Sequence, residues 1–153
     1  MCVFCEIVAG RVQSHIVWQD ESYMAFLSIY PNTPGVTVVI PKAHHSSYLF
    51  EQDDVVIAGL LAATKKVAKL LVEGLEGVGR TALVFEGYGV DHLHAKLYPM
   101  HGTGEDSAFR KISSVVETYF DRYLGYVSSH DGPRADDLQL AEMAQRLRHP
   151  LDA

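Results

Sequence analysis

The apolar residues of this chain recur with two different periods, and the longer period predicts two helices. From about Asp53 to Leu75, apolar residues recur at steps of three and four with lysines between them, which predicts one long amphipathic helix. Asp53 or Asp54 is its natural N-cap, because a carboxylate can accept a hydrogen bond from a free backbone N–H of the first turn. A shorter pattern over Asp136–Arg148 predicts a C-terminal helix whose apolar side includes Leu138, Met143 and Leu147.

Shorter apolar segments, rich in β-branched and aromatic residues, predict a sheet. Their bounds are Ile16–Trp18, Tyr23–Leu27, Val36–Ile40, Thr81–Phe85 and His92–Tyr98. The first two flank a polar turn and predict a β-hairpin. Residues 3–9, closed by Gly10, predict a short helix or turn, whereas residues 114–127 show no clean period. Because the strands come in antiparallel pairs rather than in regular βαβ units, we expect an α+β fold.

Length and charge narrow the class of protein. The 153 residues fit one domain, and 13 lysines and arginines against 19 acidic residues give a formal net charge of −6. That charge excludes a general binder of nucleic acid polymers, so a partner that carries phosphate must be held by a local site. No apolar run approaches the roughly 18 residues of a membrane span. Two cysteines are too few for a disulfide framework, and no signal peptide precedes them. We therefore expect a soluble, cytoplasmic protein.

The densest chemical signal is the segment from His92 to Lys96, which reads His-Leu-His-Ala-Lys. In a strand, alternate side chains share a face, so His92, His94 and Lys96 point to one side and the apolar residues between them to the other. Burying such a row of polar nitrogens without partners is costly. The row therefore faces either plain water or a metal ion or anion.

Three further residues favour a metal ion. Cys2 and Cys5 have the CxxC spacing that places two thiolates on one zinc ion, and His44 follows the end of a predicted strand. A redox role fits the two cysteines less well, because the redox motif belongs to a βαβ unit and this one opens the chain. Two ordinary buried cysteines are the remaining interpretation.

Four motifs, in this order, resemble those of the bacterial-type branch of the histidine triad (HIT) family. They are CxFC at residues 2–5, FLxI at 26–29, PGxTxVIPKxH at 34–44 and a variant of HxHxHxxP at 92–99. The resemblance covers roughly residues 2–101, and it leaves 102–153 as an extension within a single HIT-like domain over 1–153. It implies an antiparallel five-stranded sheet with one long amphipathic helix and a C-terminal helix, and it implies a homodimer.

The resemblance also implies roles for individual residues. Cys2, Cys5, His44 and His92 would hold a structural Zn²⁺. His94 would attack the α-phosphate of a small-molecule nucleotide, either a nucleoside phosphoramidate or a dinucleoside polyphosphate, and form a nucleotidyl-histidine intermediate. The implied nucleotide-binding positions are Phe4, Ile7, Phe26, Ser28, Ile29, Gly87 and Gly89. The apolar ones among them are also ordinary core residues, and the two glycines also suit a simple turn.

The chain departs from the family pattern on the substrate side. Lys96 stands where the third histidine is usual, and it keeps a positive charge for a phosphate oxygen but is a poor proton shuttle near neutral pH. Val36 replaces a further histidine, and Ser28 replaces the acidic residue that binds ribose hydroxyls. Two hypotheses follow. One is an enzyme that hydrolyses or transfers a nucleotidyl group through His94 and Lys96, and the other is a zinc-stabilised nucleotide-binding module with weak or no turnover.

Overall fold

Five antiparallel strands form one sheet in the computed structural model, which describes residues 1–104, 122 and 133–148. The strands are β1 (Ile16–Gln19), β2 (Tyr23–Leu27), β3 (Thr37–Pro41), β4 (Val78–Val84) and β5 (Ala95–His101), and they lie in the order β1-β2-β3-β5-β4. The helices are α1 (Val3–Val8), α2 (Asp54–Gly74) and α3 (Asp137–Arg148), with a single 3-10 turn at Leu49–Glu51. These elements confirm the expected α+β fold, its hairpin, its long helix and its C-terminal helix.

The sheet separates two apolar clusters, because successive side chains of a strand point to opposite faces. On one face, Val39 and Leu97 lie in a cluster with residues of α2 and α3. On the other face, Val38 and Phe26 lie in a cluster with Phe4 of α1. The short N-terminal helix therefore covers the face opposite to the long helix.

The long helix begins at the residue that its sequence predicts, but it is capped differently. Asp53 is the N-cap, and its backbone carbonyl accepts hydrogen bonds from the N–H groups of Val56 (2.9 Å) and Ile57 (3.1 Å). The Asp53 side chain makes no capping hydrogen bond. The stability of α2 therefore comes mainly from its buried side, which packs on the sheet and consists of Leu60, Ala63, Thr64, Val67 and Leu71.

The strand predicted from His92 starts three residues later, at Ala95. Pairing between β3 and β5 stops at Val39 and Ala95. Beyond that pair, the carbonyl of Pro41 accepts a hydrogen bond from the His92 ring, and proline has no N–H to offer to a neighbouring strand. His92 and His94 therefore lie in the loop that enters β5 rather than in the strand itself.

The C-terminal helix is joined to the sheet at both of its ends. At its start, the buried His15 donates a hydrogen bond from Nε2 to Asp137 (3.0 Å), and this bond and that from Arg134 lower the pKa of the Asp137 carboxyl. At its end, Arg148 donates to the carbonyl of Ile16. Between these contacts, α3 buries Leu140, Ala144 and Leu147.

The expectation for Leu138 on the apolar side of α3 is wrong. Its side chain is 75% exposed, because Leu140, Ala144 and Leu147 form the buried side at steps of four and three. The irregular segment 114–127 lies outside the described residues, apart from Arg122. In the part of the chain that the structure describes, no helix is long and apolar enough to cross a lipid bilayer.

Replacing Leu147 tests whether α3 is an integral part of the core. Leu147 is fully buried and packs closely against Gly74 of α2. We expect Leu147→Ala to lower the free energy of unfolding by about 2–5 kcal/mol, because the change leaves a cavity between the two helices. The measurement is urea unfolding followed by circular dichroism.

Leu138→Ala is the matched control, because it removes the same atoms from an exposed position of the same helix. We expect it to change the free energy of unfolding by less than about 0.5 kcal/mol. Equal losses in the two variants would contradict the packing of α3 described above.

Candidate functional site

Four residues from three separate parts of the chain bring their metal-ligating atoms together. Cys2 is the N-cap of α1 and Cys5 lies in its first turn, His44 lies in the loop after β3, and His92 lies just before β5. The ligand atoms all lie within 4.8 Å of one another. Nδ1 of His92 is 3.4 Å from Sγ of Cys2 and 3.6 Å from Sγ of Cys5, and Nδ1 of His44 is 3.5 Å from Sγ of Cys5.

These separations fit a tetrahedral zinc ion. Bonds of about 2.3 Å to sulfur and about 2.0 Å to nitrogen, at tetrahedral angles, place a sulfur and a nitrogen ligand about 3.5 Å apart. Nε2 of His92 donates its proton to the carbonyl of Pro41 (2.8 Å), so Nδ1 keeps a free lone pair. Burial lowers the pKa of His92, which favours the neutral imidazole that binds metal. The four residues therefore have the chemistry and the geometry of a closed structural site.

The surroundings of the two cysteines do not favour a redox role. Burial, followed by a hydrogen bond with Cys2, raises the pKa of the Cys5 thiol. Redox-active cysteines have a lowered pKa, since the thiolate is the reactive form. Metal binding is compatible with a raised thiol pKa, because a bound metal ion itself favours the thiolate.

The loop that carries His44 is joined to the loop that carries His92. Oδ1 of Asp91 accepts a hydrogen bond from the backbone N–H of Ser47 (3.0 Å), and the N–H of Leu93 donates to the carbonyl of His45 (2.9 Å). These bonds join the two loops that carry His44 and His92. Local sequence gives no signal for them, because each bond has a backbone partner more than 40 residues away in the chain.

His94 is buried, and only one of its two ring nitrogens has a hydrogen-bond partner among the described residues. His94 is only 4% exposed. Its Nδ1 donates a hydrogen bond to the carbonyl of His92 (2.7 Å). Since that carbonyl can only accept, the proton is on Nδ1 and the lone pair is on Nε2. Burial lowers the pKa of His94, and the positive charge of Lys96 lowers it further. The ring is therefore a neutral imidazole with one nitrogen able to act as a nucleophile.

Lys96 lies on the same side of the chain as the two histidines. It is half-buried in β5, between Val38 of β3 and Val84 of β4. On the opposite side, Leu93 and Leu97 are 0% and 2% exposed and belong to the cluster beneath α2. The alternation predicted from the sequence therefore continues from the loop into the strand.

The residues expected to hold the base do not all lie together. Phe4, Ile7 and Phe26 share the cluster under α1, and the Phe4 ring meets His94 edge to face at 5.4 Å between centroids. Ile29, in contrast, packs against the cluster on the other face of the sheet. Oγ of Ser28 accepts a hydrogen bond from the N–H of Tyr30 (3.2 Å), which uses one of the two lone pairs of its hydroxyl.

The two glycines expected near phosphate differ in what surrounds them. Gly87 has φ +73° and packs so closely that a Cβ would lie 2.8 Å from the carbonyl oxygen of Ser47. That contact requires glycine whether or not a ligand binds. Gly89 has open space around it and lines a cavity of about 540 Å³, beside Cys2 and His44. Contact of either glycine with phosphate stays a prediction.

Comparison with known proteins places these features in a family. The family model of the HIT domain matches residues 9–102. An uncharacterized HIT-like protein of Methanocaldococcus jannaschii is 33% identical over 119 residues, which cover 75% of this chain and 92% of the relative. The adenosine 5'-monophosphoramidase of Schizosaccharomyces pombe is 34% identical over 102 residues, which cover 64% of this chain and 73% of the relative.

A solved structure shows the same fold. The zinc-bound histidine triad family protein of Mycobacterium smegmatis superposes with a TM-score of 0.68 at 25% identity, over 98% of this chain and 92% of that one. The residues that the family model matches, 9–102, include all five strands of the sheet and the row from His92 to Lys96. On this evidence the chain belongs to the HIT family, which confirms the resemblance found in its motifs.

Proposed function

We propose that this protein hydrolyses or transfers nucleotides by attack of His94 on the α-phosphate. The observation that carries the proposal is the state of the His94 ring, whose Nδ1 is held by the His92 carbonyl and whose Nε2 is left as the nucleophile. Lys96 follows on the same side and offers a positive charge to phosphate oxygens. The relative in S. pombe, named a phosphoramidase, supports a reaction of this class.

The reaction has two steps. Nε2 of His94 forms a bond to the α-phosphorus while the bond from that phosphorus to the leaving group breaks, with its electron pair moving onto the leaving group. The His92 carbonyl stabilises the positive charge that the imidazole gains, because it accepts the Nδ1 proton. Water then attacks the phosphorus, the phosphorus–nitrogen bond breaks with its electron pair returning to Nε2, and the proton from water passes to the solvent.

We also propose a structural zinc ion held by Cys2, Cys5, His44 and His92. The bound ion supplies cross-linking rather than catalysis, since all four of its positions are taken by protein ligands. It would tie α1 and both histidine loops together, and with α1 it would hold Phe4 against His94. The zinc-bound relative in M. smegmatis supports this assignment.

The second candidate function is a zinc-stabilised module that binds a nucleotide with weak or no turnover. Two positions favour it. Val36 is 3% exposed and offers no side-chain donor to a phosphate, and the single hydroxyl of Ser28 cannot accept from two ribose hydroxyls as a carboxylate does. The first candidate is preferred because neither position removes the nucleophile.

A homodimer of single-domain chains in the cytoplasm completes the proposal. β4 lies at one edge of the sheet, and its Leu83 is 39% exposed, so a second copy could continue the sheet there. A reducing compartment would keep the two thiolates available for zinc. Packing of α3 on α2 and β1 supports one domain that includes the C-terminal helix.

The nucleophile can be tested by trapping the intermediate. Incubation with an adenylated amine or a dinucleoside polyphosphate should give a nucleotidyl adduct on His94 in intact-mass and peptide analysis, together with released mononucleotide. We expect His94→Ala to abolish both adduct and product, a loss of at least about 10³-fold, since no other group replaces the imidazole.

His101→Ala is the control for this experiment, because it removes a histidine from the far end of the same strand. It should keep turnover within about threefold of the wild type. Thermal stabilisation by nucleotide without any product would favour the binding module. Product formation that survives in His94→Ala would contradict the nucleophile.

Variants of two neighbouring histidines, His44 and His45, distinguish the proposed metal site from the rest of the loop that carries it. Elemental analysis should find one zinc per chain in the wild type and in His45→Ala, and much less in His44→Ala and Cys5→Ser. Loss of the ion should lower the melting temperature by several degrees, because metal binding and folding are coupled. A wild-type chain that holds no metal and loses no stability with a chelator would exclude the site.

Light scattering tests the homodimer. The wild type should have twice the mass of one chain, and Leu83→Glu should shift it toward the monomer, since a charge at the β4 edge opposes pairing with a second copy. Leu138→Glu, at an exposed position of α3, should leave the mass unchanged. A monomeric wild type would contradict the assembly.

A further inference from the structure

Lys96 is a half-buried cation whose neighbours across the sheet have apolar side chains. Its neighbours across the sheet are Val38 and Val84. Within the described ranges 1–104, 122 and 133–148, its ammonium makes no hydrogen bond and no ion pair. Withdrawing an ammonium partly from water without a counter-ion costs free energy, so this position suits an anionic ligand.

The ammonium lies within reach of atoms bound at His94. Two residues of extended chain separate the two side chains by roughly 6–7 Å, about the length of a lysine side chain, and both point to the same side. The charge of Lys96 acts on the His94 ring, and the carboxylate of Glu86 acts on it more weakly in the opposite direction. The Lys96 side chain therefore offers a cation on the same side of the chain as the proposed nucleophile.

The two substrate classes of the proposed function need different help at the leaving group. A phosphoramidate releases an amine, which leaves only when its nitrogen receives a proton from an acid. A phosphoanhydride releases a phosphate, which is largely ionised at neutral pH because its second pKa is about 6, and which needs only a positive charge.

A lysine and a histidine at position 96 would serve these classes differently. An imidazolium is a stronger acid than a lysine ammonium by about four pKa units, so it delivers a proton more readily. The ammonium is a compact permanent charge that suits phosphate oxygens.

We propose that Lys96 directs this enzyme to phosphoanhydrides, in which the group leaving the α-phosphate is itself a phosphate, over phosphoramidates. The inference rests on the proposed function, and it separates this chain from the activity for which the S. pombe relative is named. In the step itself, Nε2 of His94 bonds to the α-phosphorus and the bond from phosphorus to the bridging oxygen breaks. The electron pair stays on that oxygen, and the Lys96 ammonium stabilises the resulting anion without losing a proton.

The test compares kcat/KM for two probes that share an adenylyl group, diadenosine tetraphosphate and adenosine 5'-phosphoramidate. The wild type should prefer the tetraphosphate by at least about tenfold. In Lys96→His that ratio should fall by about tenfold or more, through faster cleavage of the phosphoramidate. Lys96→Arg keeps the charge and should keep the preference within about threefold, whereas Lys96→Met should lose about 10²-fold on the tetraphosphate alone.

Each outcome counts for or against the inference. Zinc content and melting temperature, measured for every variant, show whether its fold is intact. If another variant fails to fold, Lys96→Arg still tests the role of the charge at position 96. A wild type that prefers the phosphoramidate, or a ratio that Lys96→His leaves unchanged, overturns the role of Lys96 while the proposed function stands. Cleavage of neither probe, with no adduct on His94, overturns the proposed function and this inference with it.

Discussion

The alternation of side chains from His92 to Leu97 is the constraint on which this structure depends. Leu93, Ala95 and Leu97 are almost fully buried beneath the long helix. A shift of one residue would drive two imidazoles and an ammonium into that core, at a cost that no partner there could offset. The apolar side therefore determines the register, and the register in turn determines which way the polar side faces. His92, His94 and Lys96 owe their common direction to the hydrophobic packing behind them.

The cluster of Cys2, Cys5, His44 and His92 joins the N-terminal helix α1 to the segment that starts at His92. A six-residue helix has little stability of its own, and terminal residues tend to fray. Here α1 buries Phe4 against Phe26, and two of the four clustered residues belong to its first turn and its cap. Phe4 in turn meets the rings of both His92 and His94. Apolar packing and the proposed metal ligation thus act on the same short helix, which holds Phe4 beside both histidine rings.

Hydrogen bonds to backbone carbonyls decide the chemistry of the two histidines. His92 gives Nε2–H to Pro41 and keeps the lone pair of Nδ1, whereas His94 gives Nδ1–H to His92 and keeps the lone pair of Nε2. The two rings are two residues apart and both are buried, yet they expose opposite nitrogens. This difference of acceptor suits His92 to the proposed metal ligation and His94 to the proposed attack on phosphorus, because a neutral imidazole has one lone pair to offer.

The sequence by itself determined the elements and the row of polar side chains, because both arise from short-range periodicity. The three- and four-residue steps from Asp53 to Leu75 predict α2, and the alternation around His94 predicts which neighbours share a face. Motifs shared with a family, rather than spacing alone, also singled out Cys2, Cys5, His44 and His92, whose possible ligand atoms the fold brings within 4.8 Å of one another.

Only the tertiary structure decided how those residues are held. The start of β5 at Ala95, the bond from Asp91 to Ser47 and the docking of Asp137 on His15 each join groups far apart in the chain, and the first two involve backbone atoms. The exposure of Leu138 and the packing of Ile29 away from Phe4 were decided in the same way, by which face each neighbour covers. Local periodicity carries no information about such partners, because they lie far apart in the chain and only folding brings them within bonding distance.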